Sequence, residues 1–272
     1  MTTQISKDTR LCMSLAARPG NFGTRFHNFL FRELELDFLY KAFTTTDLPA
    51  AIGGVRALGI RGCAISMPFK EDVIALVDEL DPSAEAIRSV NTIVNDDGFL
   101  RAYNTDYLAI AQLLDTHRVP TDAAFAVRGS GGMAKAVVSA LSNAGFRSGT
   151  VIARNEAAGR ALADAHGYAW RADATALRAD LVVNVTPIGM QGGPEADDLA
   201  FEPATVDAAD TVFDVVALPV ETPLVRYGRE RGKKVISGHE VLVRQGLEQF
   251  VLYTGVRPER ELVERAAAQA RA

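Results

Sequence analysis

The sequence predicts an α/β protein of two domains, each organised around a mainly parallel sheet. Three observations carry that expectation. Short apolar runs alternate with amphipathic stretches over residues 10–80, the βαβα order of a parallel sheet. The alternation restarts at Ala123, beyond a proline-containing joint, Val119-Pro-Thr-Asp122. The 272 residues suffice for two modest hydrophobic cores.

Taken in order, residues 10–16 (Arg-Leu-Cys-Met-Ser-Leu-Ala) read as a first buried strand. Residues 24–35 follow as a helix with Phe26, Leu30 and Phe31 on one face. Residues 38–43 read as strand, and Asp47 as the N-cap of a helix that Gly59 closes. Residues 61–66 form the next strand, and Pro68 suits the first turn of a helix running to about Leu80. Two short strands at 90–94 and 99–103 flank Asp97-Gly98, a dipeptide favoured in tight hairpin turns. Residues 106–117 are a long amphipathic helix. After the joint come strands at 123–127, 150–153, 181–184, 212–216 and 234–236, with helices from Gly132 and at 156–166. A Ser237-Gly238 break precedes helices at 239–253 and 258–270. A long helix is a natural bridge, so these two are placed back on the first domain. The expected division is 1–105 with 238–272 as a substrate-binding catalytic domain, and 106–237 as a nucleotide-binding domain.

Composition excludes several classes of function. Hydrophobic content of 48% and charged content of 23% are those of a soluble globular protein. A net charge of −5 without a basic stretch argues against nucleic-acid binding. No apolar run approaches a membrane span, and Met1-Thr-Thr-Gln-Ile-Ser-Lys7 lacks a signal-peptide core, which predicts a cytoplasmic protein. Cys12 and Cys63 lie in apolar runs and read as buried reduced thiols, not as a disulfide or a metal site. The expected partner is a small-molecule substrate, with no metal, for a monomer or a homodimer.

Two polar islands carry the chemistry. Ser66-Met-Pro-Phe-Lys70 and Tyr103-Asn-Thr-Asp106 each follow a strand-like run, and catalytic groups of open α/β sheets collect at the carboxyl ends of strands. A Lys near a carboxylate can take an alcohol proton as hydride leaves. Taken singly, Lys70 also fits a solvated first-turn residue and Asp106 a helix cap. Ser66, Asn91 and Gln245 lie beside apolar runs and suit hydrogen bonds to a polyhydroxylated ligand, although each alone also fits a cap or a satisfied core polar group. Gly129-Ser130-Gly131-Gly132-Met133-Ala134 opens a helix directly after an apolar strand, in a G-x-G-x-x-A pattern. The first Gly permits the tight turn, the second lets backbone approach a pyrophosphate, and Ala134 allows close packing of helix on strand. The next strand ends in Ala153-Arg154-Asn155, where NAD sites usually carry an acidic residue. An Arg there suits a 2′-phosphate, so NADP is favoured over NAD, with Glu156 the opposing signal.

Together these segments resemble the shikimate dehydrogenase family over nearly the whole chain. Ser66-Met-Pro-Phe-Lys70 is similar to the family's catalytic-lysine segment, Ser89-Val-Asn91-Thr92 to its substrate-binding Asn motif, and Asn104-Thr-Asp106 to the segment holding the catalytic Asp. Ala153-Arg154-Asn155 resembles the family's Asn-Arg-Thr, and Asn184-Val-Thr186-Pro-Ile-Gly-Met190 the motif beside the nicotinamide. Glu221-Thr-Pro-Leu and Val241-Leu-Val-Arg-Gln245-Gly also fit. The resemblance implies a mainly parallel substrate domain and a Rossmann-type NADP domain. It makes Lys70 the general acid/base, Asp106 its hydrogen-bonding partner on the ring hydroxyls, and Asn91 and Gln245 substrate ligands. Val216 and Gly238 would lie along the nicotinamide.

The departures are as informative. The family's two carboxylate-binding serines, counted back from His27-Asn28, are Asn21 and Gly23 here, and Thr24 replaces the following Pro. Ser14, Arg18, Asn21 and Thr24 are candidates to replace the lost contacts. Ser66 replaces the usual Thr, and Ala217 a substrate-facing Tyr. The sequence therefore resembles a shikimate dehydrogenase-like paralogue acting on shikimate. Quinate or another carboxylated cyclitol, and a non-catalytic NADP- and metabolite-sensing module, are the alternative readings.

Overall fold

The computed structural model describes residues 5–271; residues 1–4, the start of the segment read for a signal sequence, lie outside them. The chain divides into two compact units, Met1–Thr105 with Val243–Ala272, and Asp106–Leu242.

The first unit runs β1 (Arg10–Leu15), α1 (Phe22–Glu33), β2 (Phe38–Phe43), α2 (Leu48–Ala57), β3 (Gly62–Ile65), a 3-10 turn (Asp72–Leu76), β4 (Glu79–Leu80), α3 (Pro82–Glu85), β5 (Thr92–Asp96) and β6 (Phe99–Tyr103). The sheet order is β2-β1-β3-β5-β6-β4, with β1 parallel to β2 and β3, and β5 antiparallel to β3 and β6. Asp47 caps α2 as the sequence implies, accepting from Ala50 N at 2.9 Å. The helix expected from Pro68 to Leu80 does not form. Asp78 N donates to Leu100 O at 2.9 Å, the Asp78 carboxylate accepts from Leu100 N at 2.7 Å, and β4 pairs with β6. Sheet partners for these backbone groups outcompete helical ones.

Two apolar clusters make the first unit's core. One joins Phe26, Leu30 and Phe31 of α1 to Tyr40, Phe250 and Tyr253. The other joins Leu15, Ile52, Val55, Ile65, Ile93 and Leu100. Cys12 and Cys63 are free and fully buried. Burial pushes the Cys12 thiol up to about 12 and Cys63 higher still, so both are inert at neutral pH. Asn28 closes the free edge of β2: its amide accepts from Tyr40 N at 2.9 Å and donates to Tyr40 O at 2.8 Å.

The second unit contains α4 (Thr105–Thr116, whose first residue belongs to the first unit), β7 (Phe125–Arg128), α5 (Gly132–Asn143), β8 (Gly149–Ile152), α6 (Glu156–His166), β9 (Ala169–Arg171), β10 (Leu181–Asn184), α7 (Pro203–Ala208), β11 (Thr211–Asp214), α8 (Pro223–Glu230) and β12 (Lys234–Ser237). All six strands are parallel, in the order β12-β11-β10-β7-β8-β9. That is the doubly wound Rossmann order, whose switch point lies between β7 and β10. Of these strands only β9 escaped the sequence reading, because Ala169-Trp-Arg is too short to show a period, and the short helices α7 and α8 escaped it as well. α9 (Gly238–Thr254) and α10 (Arg260–Arg271) complete the chain. The division between units falls inside α9, at Leu242–Val243, and not at the Ser237-Gly238 break. Among the described residues no helix is long and apolar enough to cross a membrane.

Candidate active site

In the first unit, pairing of strand ends gathers the predicted polar groups at one edge of the sheet. Ser66 N donates to Leu15 O at 2.9 Å, and Ala17 N to Met67 O at 3.1 Å. Val90 N donates to Lys70 O at 2.8 Å, and Ile65 N to Asn91 O at 2.8 Å. The loop carrying Ser66 and Lys70 is thus laid between the end of β1 and the start of β5. Ser66 is exposed and Lys70 half-buried.

Asn91 is buried, and its Oδ1 accepts from Thr105 N and Thr92 Oγ1, both at 2.8 Å. The Thr105 hydroxyl is shared between Asn91 Oδ1 at 3.2 Å and Gln245 Oε1 at 3.4 Å. Gln249 Nε2 donates to Thr92 Oγ1 at 3.0 Å. With its oxygen fixed from three sides, Asn91 keeps Nδ2 without a hydrogen bond among the described residues: an oriented donor. Thr92 and Thr105 lie inside the motifs quoted from the sequence but carried no role there, and Gln249 was missed, although it follows Gln245 by one helical turn.

The substrate-anion candidates differ in their surroundings. Asn21 occupies the N-cap of α1, exposed and without a side-chain cap bond. Ser14 is half-buried and close enough to the buried Tyr40 phenol to act on its ionisation. A Cβ at Gly23 would sit 3.4 Å from Tyr40 Oη, an ordinary contact distance. The buried His27 ring stacks on Tyr40 at 4.4 Å, and burial lowers its pKa to about 4. It is therefore neutral, and since a carbonyl only accepts, the Nδ1 that lies 2.8 Å from Gly23 O carries the proton. His27 and Asn28 thereby pin the first turn of α1 through Gly23 O and Thr24 O. Asp106 is the second residue of α4, inside the first turn and not its cap, and is buried.

In the second unit the loop after β7 has the shape of a phosphate cradle. Gly129 has φ +132°, and a Cβ there would come within 2.6 Å of Val185 Cγ2, so no other residue fits. Ser130 and Met133 are half-buried, and Ala134 is packed without exposure. Gly131 caps α5 with no side-chain hydrogen bond, and nothing lies within 4 Å of a Cβ built at Gly131 or Gly132. The first amides of α5 therefore face open space, at the positive end of the helix dipole. Arg154 is exposed, and Asn155 Oδ1 accepts from Ala158 N at 3.1 Å, capping α6.

The loops after β10 and β11 are tied together below the surface. Thr186 Oγ1 donates to Asn184 Oδ1 at 2.6 Å, and Asn184 Nδ2 donates to Asp214 Oδ1 at 3.0 Å. Asp214 also accepts from Thr222 Oγ1 at 2.6 Å and Val216 N at 3.1 Å. Burial raises its pKa to about 6, against the lowering effect of Thr222, Val216 and Asn184. A Cβ at Gly238 would strike the Val216 carbonyl, which fixes that position as glycine. Asp214 was not singled out from sequence, although a lone Asp ending an apolar strand is a visible signal. The open amides, the glycine-only turn and Arg154 fit a phosphorylated dinucleotide.

Comparison with known proteins points to one family. Residues 22–93 match the model of the shikimate dehydrogenase substrate binding domain, and residues 238–268 that of the shikimate 5′-dehydrogenase C-terminal domain. A shikimate dehydrogenase-like protein of Haemophilus influenzae is 58% identical over 98% of this chain and 98% of its own. A shikimate dehydrogenase (NADP(+)) of Archaeoglobus fulgidus is 36% identical over 90% of this chain and 92% of its own. The solved shikimate 5-dehydrogenase of Thermus thermophilus, in complex with NADP(H) and shikimate, superposes with a TM-score of 0.85 at 29% identity, covering 96% of this chain and 99% of that one. Likeness of this extent in sequence and fold places the chain in the shikimate dehydrogenase family.

Proposed function

We propose that this chain is an NADP-dependent alcohol dehydrogenase interconverting shikimate and 3-dehydroshikimate, with the first unit holding substrate and the second the cofactor. The observation that carries the substrate half is Asn91. Its amide is oriented from three sides, and the backbone of its neighbour Val90 is bonded to that of Lys70. Ser14, Asn21, Ser66, Asn91 and Gln245 would bind the ring substituents. Gly129–Ala134, Arg154, Asn155, Thr186, Val216 and Gly238 would hold NADP. When bound, NADP would supply the hydride acceptor. Lys70 Nζ would take the proton of the hydroxyl being oxidised and return it in the reverse direction. Asp106 would orient Lys70 and accept from a ring hydroxyl.

Assaying shikimate, quinate and related hydroxy acids with NADP and NAD tests this reading. Turnover of shikimate with NADP is the expected result. Thermal shifts by NADP without product from any substrate would support a sensing module in its place.

Gly23 favours a second substrate reading, because a grip on the substrate carboxylate is lost there. Quinate or another carboxylated cyclitol would then be preferred. Since the space beside Tyr40 Oη admits a Cβ, Gly23→Ser is expected to fold and to lower KM for shikimate about tenfold, the effect of one added hydrogen bond to a charged group. An unchanged KM would show that the anion is held elsewhere.

A further inference from the structure

We propose that Arg128 is a second arginine for the cofactor's 2′-phosphate, acting with Arg154 to select NADP over NAD. The inference rests on the reading that the second unit binds NADP. Arg128 is the last residue of β7 and directly precedes Gly129. The parallel register pairs it with Ile152 of β8, so the two side chains leave the same face of the sheet. Arg154 follows Ile152 by two residues, and pairing persists beyond β8 through Ala153 N to Arg171 O at 3.0 Å. The two arginines therefore emerge at the same carboxyl edge, beside the loop whose amides face open space.

The two arginines of this corner have no ion-pair partner among the described residues. Arg128 is half-buried and makes one hydrogen bond, to the Ala200 carbonyl. Burial lowers the Arg128 pKa, the charge of Glu195 opposes it, and the positive charge of Arg154 lowers it further. A partly desolvated cation facing a like charge is unfavourable unless an anion lies between them. Two planar guanidinium forks suit a phosphate dianion. The competing role is mechanical, since the bond to Ala200 could simply pin the segment before α7. A pin would serve NAD and NADP alike.

The two roles separate when binding is read with cofactor fragments, without turnover. Wild type, Arg128→Gln and Arg154→Gln are titrated with 2′,5′-ADP and with 5′-ADP by calorimetry, with circular dichroism confirming the fold. Wild type is expected to prefer 2′,5′-ADP. Arg128→Gln is expected to weaken 2′,5′-ADP by about tenfold or more, as for a lost charge-assisted hydrogen bond, and to leave 5′-ADP within about twofold. If Arg128→Gln does not fold, Arg128→Lys keeps the charge without the fork, and is expected to weaken 2′,5′-ADP selectively by a smaller factor. Equal losses for both ligands, or none for either, would overturn the proposal and leave Arg128 a pin. Failure of wild type to prefer 2′,5′-ADP would instead overturn the NADP reading beneath it.

Discussion

Replacing Lys70 with Ala is expected to cut kcat by about 10²–10⁴-fold while leaving NADP affinity unchanged, the scale of a lost general acid/base. The backbone argues that the variant keeps its shape. The Lys70 carbonyl receives Val90 N, and the neighbouring strand junction is held by Ile65 N to Asn91 O, so neither bond involves the Lys side chain. Asn91 remains fixed by Thr92 and Thr105. The truncation therefore removes the proposed proton carrier and leaves these backbone bonds in place. Steady-state kinetics with shikimate, with NADP binding measured separately by calorimetry, provide the check. A variant with near-normal turnover would remove Lys70 from the mechanism. Loss of NADP affinity alongside kcat would point to a wider structural role.

Much of the fold is legible in the sequence. The strand-helix alternation and the glycine pattern at Gly129 depend on local periodicity and on one steric exclusion, and both are written in consecutive residues. The helix expected after Pro68 failed because the partner of residues 78–80 is β6, some twenty residues onward, and no local pattern reports that pairing. Gln249 and Asp214 escaped for a related reason. Their significance comes from what they touch, Thr92 and Asn91 for one, Asn184, Thr222 and Val216 for the other. The place where the sequence departs from its relatives, Asn21 to Thr24, was legible as a departure. What it meant became concrete only with Tyr40, His27 and Asn28 around it.

Asp214 carries the largest expected effect on stability. It is fully buried and accepts from Thr222 Oγ1, Asn184 Nδ2 and Val216 N, so Asp214→Ala strips three buried groups of their acceptor. A loss of about 3–5 kcal/mol is expected, comparable to breaking a buried polar network from one side. The same change frees the turns at Thr186 and Val216, so NADP affinity should fall with it. Asp214→Asn keeps shape and most hydrogen bonds and should restore much of both, which distinguishes the network from simple packing. The carboxyl also predicts a pH dependence. Its pKa rises from 3.8 to about 6 on folding, because burial disfavours the charged form. Between those values the folded chain binds more protons than the unfolded one, so this contribution is complete below pH 3.8 and is lost as pH rises through about 6. Its size is on the order of 3 kcal/mol, and Asp214→Asn lacks it. Urea unfolding of wild type and Asp214→Asn across pH 4–7 reads it as the difference between two curves, which cancels the carboxylates that they share. Parallel curves would mean that Asp214 is ionised in the fold throughout, with its three donors outweighing the cost of burial.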